Sequence, residues 1–155
     1  MASPLLEFVP NFSEGKNASV VDAIVAAMTK VPHARCLGRE MDQSHNRSVI
    51  TMAGPQDAMA EAAFVGCKEA IARIDLRTHK GEHKRMGAMD VCPFVPLAGA
   101  SMADAVAVAK RVGERIGREL GLPVFLYAEA AMREERRVLG NVRNKEFEGL
   151  MSLVG

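Results

Sequence analysis

The sequence predicts an α+β domain in which a mixed β-sheet carries helices over one face. Three observations predict it. Short apolar runs bounded by Pro, Gly and Asn alternate with longer segments whose apolar residues recur at helical spacing. The 155 residues suffice for one well-filled core. Hydrophobic residues make up 48% and charged residues 25%, the balance of an ordinary globular protein.

In chain order, residues 5–9 form an apolar run stopped by Pro10 and read as a first strand. Residues 10–16 are a loop rich in turn formers. Val20, Val21, Ile24, Val25 and Met28 then repeat at helical spacing, with Asn17 as N-cap and Pro32 past the end. Residues 35–41 and 47–53 read as two strands of a hairpin joined through Asp42-Gln43-Ser44-His45-Asn46. Pro55 suits the first turn of a long Ala-rich helix reaching about Arg73. A strand over 91–97 follows a polar stretch, and its Pro93 and Pro96 suggest an edge or a bulge. Ser101 caps a helix running to about Leu120, closed by Gly121 and Pro123. Residues 124–127 read as a last strand and 132–142 as a charged helix. The order βαββαβαβα, with amphipathic helices covering one face of the sheet, is that of a ferredoxin-like sandwich. No repeat or linker divides residues 1–155, which read as a single domain.

Composition narrows the function. A net charge of +1, with bases and acids interleaved, argues against nucleic acid and acidic membrane surfaces as partners. No apolar run approaches the length of a membrane span, and Met-Ala-Ser-Pro-Leu-Leu-Glu lacks the pattern of a signal peptide. Cys36, Cys67 and Cys92 stand too far apart for a CxxC metal site or a disulfide framework, which fits a reduced cytoplasmic protein.

The chemistry concentrates in residues 79–97. His79-Lys80-Gly81-Glu82-His83 formally matches H-x-x-E-H, a zinc pattern that needs both histidines on one helical face. Gly81 and Gly87 interrupt the segment, no apolar stripe packs a helix through it, and no third ligand is evident, so no metal is expected. A histidine acting as acid or base near neutrality is the alternative chemistry, with Glu82 or Asp90 close enough in sequence to tune it. Lys80, Lys84 and Arg85 would supply positive charge to substrate carboxylates. Taken alone, the same loop reads equally well as a solvated polar turn.

Six motifs remove that ambiguity. Pro-Asn-Phe-Ser-Glu-Gly-Lys-Asn (10–17), Asn-Arg (46–47), His-Lys-Gly-Glu-His (79–83), Arg-Met-Gly-Ala-Met-Asp-Val-Cys-Pro-Phe (85–94), Pro-Val-Phe-Leu-Tyr (123–127) and Glu-Phe-Glu-Gly-Leu (146–150) occur in order. Together they make the chain resemble the N-terminal subdomain of glutamate formimidoyltransferase, including the transferase part of formimidoyltransferase-cyclodeaminase. The resemblance implies transfer of a formimidoyl group between N-formimidoyl-L-glutamate and N5 of tetrahydrofolate, in histidine catabolism. Tetrahydrofolate would be a substrate, without a metal.

The resemblance also assigns residues. The family's catalytic histidine matches His83, as general acid and base. Glu82, Asp90 or an acid of the hairpin near 40–42 would stabilise the cationic intermediate. The hairpin departs from the Asp-x-Asp run of many members: here it reads Arg39-Glu40-Met41-Asp42. Asn11, Ser13, Glu14, Gly15, Asn46, Arg47, His79, Lys80, Arg85 and Gly87 lie in the matching motifs as expected substrate contacts. Arg47 would hold a carboxylate, or form a structural ion pair. Amides around Ser13, Glu14 and Gly15, ahead of a helix N-terminus, would receive an anion. His45 reads as a turn histidine, with a polar substrate contact as the alternative. Tyr127 would stack on a pterin or pack in the core.

Family transferase domains have two subdomains with folate in the crevice between them, and this chain is expected to lack the second. A separate chain carrying it, or a homodimer or higher homo-oligomer, would complete the crevice. The contrasting expectation is a folate-binding or interaction module that keeps the fold without turnover.

Overall fold

A computed structural model describes residues 4–77, 87–122, 124 and 126. The first strand is broken where the sequence places a proline. β1 (Leu5–Phe8) and β2 (Asn11–Phe12) follow one line, interrupted at Val9 and Pro10. Pro10 has no N–H to give to a ladder. Its carbonyl still accepts from Ile50 N–H at 3.1 Å, so the line continues across the break.

α1 (Ala18–Thr29) starts at Asn17, whose side chain accepts the Ser19 N–H, as expected from the sequence. Its buried residues Val21, Ile24 and Met28 share one face. β3 (Arg35–Asp42) and β4 (Arg47–Pro55) form the expected hairpin, with Asp42 opposite Arg47. Pro55 closes β4 and caps α2 (Gln56–Arg73) instead of sitting inside its first turn. The expected strand at 91–97 is two short ones, β5 (Met89–Val91) and β6 (Phe94–Pro96), parted at Cys92 and Pro93. The two breaks face each other, with Val9 N–H donating to the Pro93 carbonyl at 3.2 Å.

α3 (Met102–Arg115) opens on a full capping box, Ser101 accepting from Asp104 N–H and Asp104 from Ser101 N–H. It widens into a π-type turn over Ile116–Leu120 and ends at Gly121, whose φ of 67° suits glycine. The expected strand at 124–127 and helix at 132–142 lie outside the described residues, apart from Val124 and Leu126, whose side chains lie over Gly113.

The strand order is β5–β2–β4–β1–β6, with β3 on the outer side of β4. Every described pairing is antiparallel, which corrects the expected mixed sheet. The reason is topological. α1 carries the chain past one strand position to β3, and α2 past another to β5 and β6, so an antiparallel strand fills each gap.

Strand alternation then decides which face is covered. Leu6, Phe8, Phe12, Ile50 and Met52 join the buried residues of all three helices in one core cluster. Phe8 stacks on Phe94 at 5.0 Å between ring centres. Ala58, Ala62, Ala63 and Gly66 give α2 a flat side, and Gly66 meets the Met28 side chain of α1. The opposite alternation, Leu5, Glu7, Val49, Thr51 and Ala53, is only half-buried. No helix among the described residues is long and apolar enough to cross a membrane.

Candidate functional site

Three segments far apart in sequence meet at one end of the sheet: the loop after β2, the β3–β4 turn and the turn before β5. The backbone ladder brings them together, since Asn11 pairs with Val49 on one side and with Val91 on the other. Ser13 N–H donates to the Ala88 carbonyl and Ser13 Oγ to the Gly87 carbonyl, both at 2.8 Å. Gly15 N–H donates to Asn46 Oδ1 at 2.8 Å in a buried contact. Gly87 N–H in turn donates to Asp90 Oδ1 at 3.2 Å. Of the residues singled out in the sequence, Asn11, Ser13, Glu14, Gly15, Asn46, Arg47, Gly87 and Asp90 therefore come together. His79, Lys80, Glu82, His83 and Arg85 lie outside the described residues, as does Tyr127.

Several amides of the loop expected to receive an anion are already engaged within the chain. Lys16 and Asn17 N–H groups both donate to the Glu14 carboxylate, at 3.0 and 3.1 Å. Those of Ser13, Gly15 and Ser19 go to Ala88, Asn46 and Asn17. A carboxylate of the chain itself thus sits just ahead of the helix N-terminus. Ser13 is 1% exposed.

The open groups lie on the hairpin. A recess of about 530 Å³ is lined by Glu40, Met41, Asp42, Gln43, Arg47 and Val49. Register puts Glu40 across from Val49, and Asp42 across from Arg47, on the half-buried face of the sheet. The two acids differ. Asp42 accepts from the His45 N–H at 3.0 Å and contacts His45 Nδ1 at 2.8 Å. These contacts, led by the backbone hydrogen bond, hold its carboxyl below the usual range. His45 is therefore the clasp of its own turn. Among the described residues, the Arg47 guanidinium has neither ion pair nor side-chain hydrogen bond, and Glu40 likewise.

Gln43 and Val49 were not singled out by the sequence. The signal was present, because a hairpin closing on Asp42 and Arg47 necessarily sets residue 40 against residue 49. No group of three or more His, Cys, Asp or Glu able to hold a metal occurs among the described residues. Burial pushes the Cys67 thiol up to about 11 and raises Cys92 as well, with Cys67 adding to the latter. Neither is a ready nucleophile.

Residues 5–154 match the profile of the formiminotransferase domain, N-terminal subdomain. The chain belongs to the formiminotransferase family. The glutamate formimidoyltransferases of Streptococcus pyogenes serotype M1 and Thermoplasma acidophilum are 48% and 49% identical to this formiminotransferase subdomain, over 94% and 93% of the chain. The formimidoyltransferase-cyclodeaminase of Rattus norvegicus is 46% identical over 96% of it. The subdomain spans about half the length of the first two relatives, 49% and 48%, and 27% of the third.

Proposed function

We propose that the protein transfers a formimidoyl group between N-formimidoyl-L-glutamate and tetrahydrofolate, this chain supplying the glutamate-binding wall and the acid–base histidine. The observation that carries the reading is the recess. It sets the open Arg47 cation beside the open Glu40 carboxylate, in a chain that matches glutamate formimidoyltransferases along more than nine-tenths of its length. A substrate bearing carboxylates at one end and an amidine at the other asks for that pair of charges.

In this reading Arg47 takes a glutamyl carboxylate through its planar fork, and His79, Lys80 and Arg85 add polar and positive groups from the motif. N5 of tetrahydrofolate attacks the formimidoyl carbon, and a cationic tetrahedral intermediate forms. Glu40, Glu82 or Asp90 stabilises that charge. His83 takes the proton that N5 gives up and delivers it to the departing amine as the bond to the glutamate nitrogen breaks. In reverse, His83 takes a proton from the glutamate ammonium so that it can attack. No step uses a metal.

The antiparallel order, with β1 and β2 central and two helical crossovers, supports a ferredoxin-like sandwich for residues 1–155 as a single domain. Its half-buried sheet face supports a crevice completed by a second subdomain or by another copy of the chain. Three unpaired cysteines support a reducing cytoplasmic setting.

The test is transfer from N-formimidoyl-L-glutamate to tetrahydrofolate by the natural-length protein beside His83→Ala. Loss of turnover in the variant, with folate binding retained, is expected. Equal loss of folate binding and stability would make His83 structural. Absence of transfer by the parent protein, with folate still bound, would leave a non-catalytic folate-binding module.

A further inference from the structure

Ser13, Gly15 and Asn46 fall in the segments that would contact substrate, yet their polar groups point into the protein. Ser13 gives its amide and its hydroxyl proton to two successive carbonyls, Ala88 and Gly87. A hydroxyl has one proton, and at 1% exposure this one has no second recipient. Asn46 is 8% exposed and sits at φ 53°, a left-handed conformation that asparagine tolerates. From there its Oδ1 receives the Gly15 N–H.

Gly15 itself crosses directly over the neck of the hairpin. A Cβ there would collide with the Asp42 carbonyl and lie 2.5 and 2.6 Å from the backbone N and O of Arg47. The loop is therefore pressed onto the strand ends that carry Arg47, while Ser13 pins the turn that carries Asp90.

We propose that Ser13 and Asn46 are positioning residues for the transfer reaction: they join the Arg47 hairpin to the 87–90 turn and bind no substrate. This rests on the function proposed above. The joint fixes the spacing between the carboxylate-binding cation on one segment and the acid on the other. Misplacing reacting groups by about 1 Å costs on the order of 100-fold in rate.

The experiment uses the natural-length protein with Ser13→Ala and, as a second variant that keeps the backbone conformation, Asn46→Gly. Transfer kinetics and amide hydrogen exchange are read together. The expected result is kcat reduced roughly tenfold or more, with KM for N-formimidoyl-L-glutamate within about twofold of the parent. In Ser13→Ala, exchange at the Gly15 amide is expected to accelerate, although its own acceptor Asn46 is intact. A raised KM with kcat held would overturn the proposal, because it marks lost substrate contacts. Unchanged Gly15 exchange would overturn it too, since the segments would then be independent. If the parent protein transfers nothing, the functional reading falls, and the exchange result still decides whether the joint exists.

Discussion

At the scale of single residues, close approach and internal hydrogen bonding decide what each group is free to do. Gly15→Ala is expected to lower stability by about 2–3 kcal/mol in urea unfolding, because the obstacle is backbone and has little room to yield. Asp42 carries a pH dependence whose sign follows from its hydrogen bonds. Its folded carboxyl titrates below the ordinary 3.8, so its stabilising effect is present above that value and is lost as pH falls through the folded one. The unfolding midpoint of the parent is therefore expected to fall more on acidification than that of Asp42→Asn. The anion site expected at Ser13, Glu14 and Gly15 illustrates what sequence leaves open at this scale. Whether an amide is available depends on what folding sets against it. Here Asn46 lies 31 positions away and Gly87 lies 74 positions from Ser13.

Elements were legible where their signals are local. Asn17 and Ser101 sit where caps belong, and both do that work. Ser101→Ala is expected to cost about 1 kcal/mol by denaturant unfolding, through loss of the Asp104 N–H acceptor and of the box it completes. The strands at 5–9 and 91–97 were placed but not divided. Pro10 and Pro93 each looked like the end or edge of a strand. Their true effect, two matched interruptions side by side, depends on β1 pairing with β6 and β2 with β5. A similar non-local fact makes the sheet antiparallel, since each helix carries the chain past an intervening strand.

Over the whole molecule, one core shared by sheet and helices leaves the proposed site on the sheet's other face and at one of its ends. The three cysteines report that layering. Cys67 is buried on α2 with a raised thiol, whereas Cys36 on the edge strand β3 is part-exposed; Cys92, also with a raised thiol, is intermediate in exposure. A thiol reagent is expected to modify Cys36 in the native protein, and Cys67 only after unfolding. The six motifs made the family legible, and the hairpin register made Glu40 and Arg47 neighbours of one recess. The most direct test of the account is the KM for N-formimidoyl-L-glutamate in the natural-length protein, parent against Arg47→Gln. Removing a charge-assisted carboxylate contact is worth about 1.5–3 kcal/mol, so KM should rise by roughly tenfold or more. An unchanged KM would contradict the placement of the glutamate carboxylate at Arg47, and with it the recess as the substrate site.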